Sequence, residues 1–147
     1  MADDFAATAN RMMLDAGILH RAGAHRNACY LAGYVVECTL KALVQQTGGA
    51  AWGHDLESLH DEVAVLLLSG NAVVAKYGDP SQLAPTMLQK VAPPPPKTKK
   101  VCHWDPGHRY DGTRWSLPTT SEDYVREAAK SRDVILEMFL DGLVTLS

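Results

Sequence analysis

Apolar residues recur along the chain at helical spacing and almost nowhere alternate. Phe5, Ala9, Met12, Ala16 and Leu19 follow one another at steps of four and three, which predicts a first helix over about residues 4–22. Asp3 and Asp4 offer a cap and a favourable charge at its positive end, and Gly23 ends it. The second segment is the most apolar. Ala28, Leu31, Val35, Cys38 and Ala42 form one seam, and Ala32, Val36, Leu40 and Leu43 widen it, so a helix over about 26–46 is expected to be buried between neighbours and closed by Gly48 and Gly49.

A third helix starts near His54 or Asp55, buries Leu56, Leu59, Val63, Leu66 and Leu67, and stops at Gly70. Residues 71–92 hold two short candidates, NAVVAKYG and SQLAPTMLQK, interrupted by Pro80 and Pro85. Pro93 to Pro96 predict an extended polyproline segment, and Pro106, Gly107, Gly112 and Pro118 forbid a long helix or a central strand behind it. The last helix is read from Thr119, with Glu122 as its capping-box partner, through Tyr124, Ala128, Ser131, Ile135 and Met138. The expectation is an all-α fold: one domain over 1–147, an antiparallel up-and-down bundle of four to five helices, with a long proline-led loop at about 93–118 before the last helix.

Composition fits one globular domain, with 46% hydrophobic and 21% charged residues in 147. A net charge of −3 speaks against a molecule that binds nucleic acid by bulk charge. Locally the balance reverses, because Lys97, Lys99, Lys100, Arg109 and Arg114 outnumber Asp105 and Asp111 in the loop. The longest apolar run, Val63 to Leu68, is too short to span a membrane, and Asp3 and Asp4 stand where a signal region would be basic. Three cysteines without a CxxC pair point to reduced thiols; a cytoplasmic protein is expected.

The stretch VCHWDPGHRYDGTRW, residues 101–115, is dense in ligand-type side chains, yet Cys102, His103 and His108 lack the spacing of a zinc site, so no metal and no cofactor is expected. There is no P-loop, GxGxxG or GxSxG. More informative is the second helix. Tyr30, Tyr34, Glu37 and Lys41, spaced four, three and four, make one polar and aromatic stripe. Its plain reading is a solvent-facing strip held by a Glu–Lys pair. Its functional reading is the wall of a groove covered by the loop, with Arg109 paired to Glu37. His54 reads as a turn or cap residue.

HRNACYLAGYVVECTLKALVQQTG followed by GHDLESL, together with the final AAKSRDVILEMF and the Trp104, Arg109, Tyr110 element, resembles the HEPN superfamily. The resemblance implies a four- or five-helix bundle, often a homodimer. It also implies roles in RNA cleavage, toxin–antitoxin or phage-defence systems, frequently beside a nucleotidyltransferase. Ribonuclease members carry an Arg followed, after four to six residues, by a His. None of Arg11, Arg21, Arg26, Arg109, Arg114, Arg126 or Arg132 has such a His, and Arg21 with His25 is one residue too close. The resulting expectation is a non-catalytic domain that binds a nucleotide, RNA or a partner protein through Tyr30, Tyr34, Glu37, Lys41, Trp104, Arg109 and Tyr110, with Lys97, Lys99 and Lys100 on phosphate. The alternatives are a metal-independent endoribonuclease using Arg109 and His108, and a purely structural or dimerisation subunit.

Overall fold

A computed structural model describes residues 4–49, 53–77, 83–93, 95–110 and 114–146. Asp3, Pro80, Ser81, Gln82, Pro94, Asp111 and Gly112, which enter the expectations above, lie outside them. The element order is α1 (Phe5–Arg21), α2 (His25–Gln46), α3 (Leu56–Leu68), α4 (Ala72–Tyr77), α5 (Pro85–Leu88), β1 (Lys90–Val91), β2 (Val101–Cys102), a 3-10 helix (Pro106–Tyr110) and α6 (Pro118–Leu140). The fold is an all-α bundle. A two-residue antiparallel ladder, Lys90 with Cys102 and Val91 with Val101, is an addition that the sequence pattern did not show.

Helix α2 is the axis of the bundle, packed against α1, α6 and α3. Fourteen of its 22 residues are buried, so its apolar character extends round most of its circumference. Helices α1 and α2 are antiparallel across a tight turn at Gly23, whose φ of +83° is the left-handed conformation that glycine adopts without penalty. His20 near the end of α1 meets Ser121 near the start of α6 (Nδ1 to Oγ 2.6 Å), and Asn10 near the start of α1 meets Arg132 further along α6. Helix α6 therefore runs against α1 and with α2. The starts of α2 and α6 consequently lie at one end of the bundle.

The capping expectations divide. Asp4 accepts from the Ala7 N–H at 3.0 Å and Asp55 from the Glu57 N–H at 3.1 Å, as short carboxylates at helix starts do. The Thr119–Glu122 box does not form. Helix α6 begins one residue earlier, at Pro118, where a missing N–H is harmless, and Leu117 at the cap offers no acceptor. No helix among the described residues is long and apolar enough to cross a membrane.

Candidate functional site: a cleft at the start of the second helix

The loop after the prolines is pinned before it reaches the site. Beyond the β1–β2 ladder, His103 N–H donates to the Gln89 carbonyl at 2.6 Å and Trp104 N–H to Met87 at 3.0 Å. This anchoring drives the Trp104 ring onto α2 at Gly33, where a Cβ would stand 1.8 Å from Trp104 Cε2. Only a residue without a side chain leaves that notch. Trp104 is 0% exposed, donates through Nε1–H to the Cys29 carbonyl at 3.0 Å, and stacks on Trp115 at 6.2 Å with 6° between the planes. Burying two indoles contributes about 4–6 kcal/mol each. That exceeds the roughly 1–2 kcal/mol cost of the left-handed backbone at Trp115, whose φ is 64°.

With the indoles inside, the next residues face a cleft of about 550 Å³. One wall is the start of α2, including His25, Arg26, Asn27 and Tyr30; the other carries Arg109, Tyr110, Trp115 and Ser116. The Arg109 Nη1–H donates to Tyr30 Oη at 2.6 Å, and its guanidinium lies 4.4 Å over the Tyr30 ring and 5.3 Å from that of Tyr110. Tyr110 is 82% exposed. Among the described residues, the lining of the cleft includes two arginines and a histidine and no Asp or Glu. Ala24 caps α2 without a side-chain acceptor for its first-turn N–H groups, so the positive end of a 22-residue helix also opens here.

The helix-two stripe is present but does not serve as one surface. Tyr30 is bonded to Tyr34 through the hydroxyls at 3.2 Å, and Tyr34 packs edge-on to Trp104 at 5.4 Å. Burial, and then the neighbouring Tyr30, push the Tyr34 phenol up. Glu37 and Lys41 are buried, at 2% and 6% exposed, because α2 is enclosed on this side too. Arg109 does not pair with Glu37. Instead Glu37 is held by Lys41 at 3.5 Å and by His54, whose Nδ1 lies 3.0 and 3.2 Å from its two oxygens. His54 is thus more than a turn residue. It ties the segment before α3 to the middle of α2. Burial holds the Glu37 carboxyl above its ordinary range, and Lys41 and His54 only partly counter it.

Of the expected site residues, the structure brings Tyr30, Arg109 and Tyr110 together. Trp104 is enclosed and has no ring face for a ligand. Lys97, Lys99 and Lys100 are exposed, and they lie outside the lining of the cleft. His108 and Arg109 diverge, as neighbours in a 3-10 helix do at three residues per turn. His108 is 3% exposed, with Nδ1 3.1 Å from the His103 carbonyl and its ring against Trp115. His103 contacts the Tyr124 hydroxyl, and burial, followed by Arg114, pushes its imidazole down toward the neutral form. Among the described residues no three His, Cys, Asp or Glu side chains come together as a metal site would require.

His25, Arg26 and Asn27 escaped the sequence reading. Their signal was present in AHRN directly after the Gly23 turn: a helix opening on cationic residues without a Ser, Thr or Asp cap.

The molecule is thus a helical bundle whose central helix starts without a side-chain cap, beside an arginine–tyrosine pair. The family model of the HEPN domain matches residues 2–83, and the chain belongs to that family. No curated protein and no solved structure matches it. The matched region contributes the α2 wall of the cleft, whereas Arg109 and Tyr110 come from the loop beyond it.

Proposed function

We propose that the chain is a non-catalytic HEPN domain that holds a nucleotide or a segment of RNA in the cleft between the start of α2 and residues 109–116. One observation carries this reading. The Arg109 guanidinium is set by Tyr30, in a cleft whose described lining has no carboxylate. An arginine fixed on an aromatic ring keeps most of its five donors for a phosphate, and Tyr110 beside it offers an exposed ring on which a base can stack. The cleft volume falls within the range of small-molecule sites.

The cleft is built within one chain. The reading therefore accommodates the homodimer and the nucleotidyltransferase partner implied by the family resemblance, including a toxin–antitoxin or phage-defence pair, and needs neither to complete the site. Fluorescence anisotropy of a labelled single-stranded RNA tests it: binding by the wild type and its loss in Arg109→Ala support it, and equal binding by both overturns it.

A second reading, metal-independent RNA cleavage, is favoured by one observation: His25 lines the same cleft as Arg109. An imidazole and a guanidinium are the groups that phosphodiester cleavage without a metal requires. His108, the imidazole first considered for this role, is held inside under Trp115. Single-turnover assays of wild type, His25→Ala and Arg109→Ala separate the readings, since the binding reading expects intact RNA throughout.

A further inference from the structure

We propose that His54 reads the sugar of the ligand: its outward ring nitrogen, Nε2, bonds the 2′-hydroxyl of a ribose, so that the site prefers ribonucleotides to their deoxy forms. The inference rests on the proposed function and adds to it a residue outside the described lining of the cleft.

The imidazole is oriented from behind. Its Nδ1 lies 3.0 and 3.2 Å from the two oxygens of Glu37, a carboxylate 2% exposed that Lys41 also holds, at 3.5 Å. A carboxylate beside an ammonium accepts on both oxygens, which assigns a proton to Nδ1 and makes it the donor. Nε2 is then left at the front of the ring, on a side chain that is 60% exposed. A tie between the segment before α3 and the middle of α2 needs Nδ1 alone. Asparagine, whose amide nitrogen falls where Nδ1 does, would make that tie without a second nitrogen.

Beside His54 begins a row of rings that leads back to the cleft. The imidazole meets Tyr34 edge-on at 5.7 Å, Tyr34 meets Tyr30 at 4.9 Å, and Tyr30 carries Arg109. Hydrogen bonding runs one way along this row. Arg109 donates to Tyr30 at 2.6 Å and Tyr30 donates to Tyr34 at 3.2 Å, which leaves the Tyr34 O–H to donate outward. The half-buried Tyr34 hydroxyl and His54 Nε2 therefore stand on neighbouring rings as a donor and an acceptor.

A hydroxyl satisfies both, accepting from the first and donating to the second, whereas an ionised phosphate diester only accepts. In a nucleotide the 2′-hydroxyl is both donor and acceptor, and it is the group by which a protein tells RNA from DNA. Spacing agrees with this division. Tyr30 and Glu37 lie about two turns apart on α2, roughly 10 Å, so a phosphate on Arg109 leaves the His54 end for a sugar.

The test measures binding of one labelled oligonucleotide as RNA, as DNA, and as RNA with a single 2′-deoxy residue moved along the strand. Adenosine monophosphate and its deoxy form serve as competitors. The wild type is expected to bind RNA about fivefold more tightly than DNA, the worth of one such hydrogen bond, with the loss concentrated at one position of the strand. His54→Asn, which keeps a donor to Glu37, is expected to melt with the wild type and to bring the ratio of RNA to DNA binding toward one. Competition by the ribose monophosphate, weaker for the deoxy form, identifies a free nucleotide as the source of the sugar; competition by neither identifies a strand. Equal competition by both overturns the role of His54, as does a wild-type preference for RNA that His54→Asn retains. Should the variant melt lower, the deoxy series on the wild type decides, and uniform losses along the strand overturn the inference. Equal binding of RNA and DNA, lost in Arg109→Ala, overturns it too and leaves the proposed function standing. Absence of binding to every probe overturns both.

Discussion

Gly33 and Trp104 share one position in space: a Cβ on residue 33 would fall 1.8 Å from Trp104 Cε2 and 2.0 Å from Nε1. The glycine is therefore the socket that admits the loop to the bundle. Gly33→Ala is expected to expel the indole from a site where it is 0% exposed, breaking its bond to the Cys29 carbonyl and its stack on Trp115. Overpacking of this kind costs about 1–3 kcal/mol or more. Urea unfolding would show the lowered midpoint, and Trp fluorescence in the folded variant would shift to the red. An unchanged midpoint and spectrum would mean that Trp104 does not occupy the notch.

Buried charge in α2 gives the next expectation. Glu37 and Lys41 neutralise one another inside the bundle, with the Lys41 ammonium also 5.2 Å over the Phe5 ring. Removing one partner leaves the other buried and alone, so Glu37→Leu is expected to cost on the order of 3–5 kcal/mol. Replacing the pair by apolar side chains removes both desolvation penalties. The double variant Glu37→Leu with Lys41→Met should recover most of the loss, as a double-mutant cycle in chemical denaturation would show.

Glu127 carries a pH expectation. Its Oε1 accepts the Thr86 and Met87 N–H groups at 2.8 and 3.1 Å, capping α5 from α6. Burial nevertheless raises its carboxyl above the ordinary range, outweighing those bonds. A carboxyl raised in the folded state adds stability below its unfolded value of about 4.3, and loses it as pH climbs through the folded value. Glu127→Gln imitates the protonated form. Thermal denaturation should find the variant and the wild type alike near pH 4, with the variant gaining relative to the wild type as pH rises towards 8.

The thiols are expected to be inert in the folded protein. Cys29 and Cys38 are pushed up to about 12 and Cys102 to about 11, in each case chiefly by burial. The thiolate is the reactive form, so labelling at pH 8 should be slow on the native chain and complete in denaturant. Rapid native labelling of any of the three would contradict the packing described for it.

Much of the bundle was legible because helices write themselves as apolar periodicity: α1, α2, α3 and α6 all lie where the spacing placed them. The loop was legible only in outline. Nothing in the sequence marks Gly33 as the receiver of Trp104, since that contact joins residues 71 apart and depends on the short ladder between Lys90–Val91 and Val101–Cys102. The stripe failed as a single surface for a similar reason. Spacing puts Tyr30, Tyr34, Glu37 and Lys41 on one face, but the turn that carries His54 covers the lower half, and only tertiary contact decides which half stays open. Arg109 lines the cleft, but its contact is Tyr30 and not the Glu37 that the spacing suggested. An arginine in a loop has many candidate acceptors, and the phenol of Tyr30 lies closer to the loop than the buried carboxylate one helical turn beyond Tyr34.

The cleft itself is tested most directly by the salt dependence of single-stranded RNA binding, measured for wild type and Arg109→Ala over a series from low to moderate salt. Arg109 is exposed, so the variant should fold as the wild type does. The expected result is wild-type affinity that falls as salt rises, and a variant bound at least tenfold more weakly with a logarithmic salt slope shallower by about one. Binding that ignores salt, or a variant that matches the wild type in both affinity and slope, would contradict the assignment of this cleft as the nucleotide-binding site.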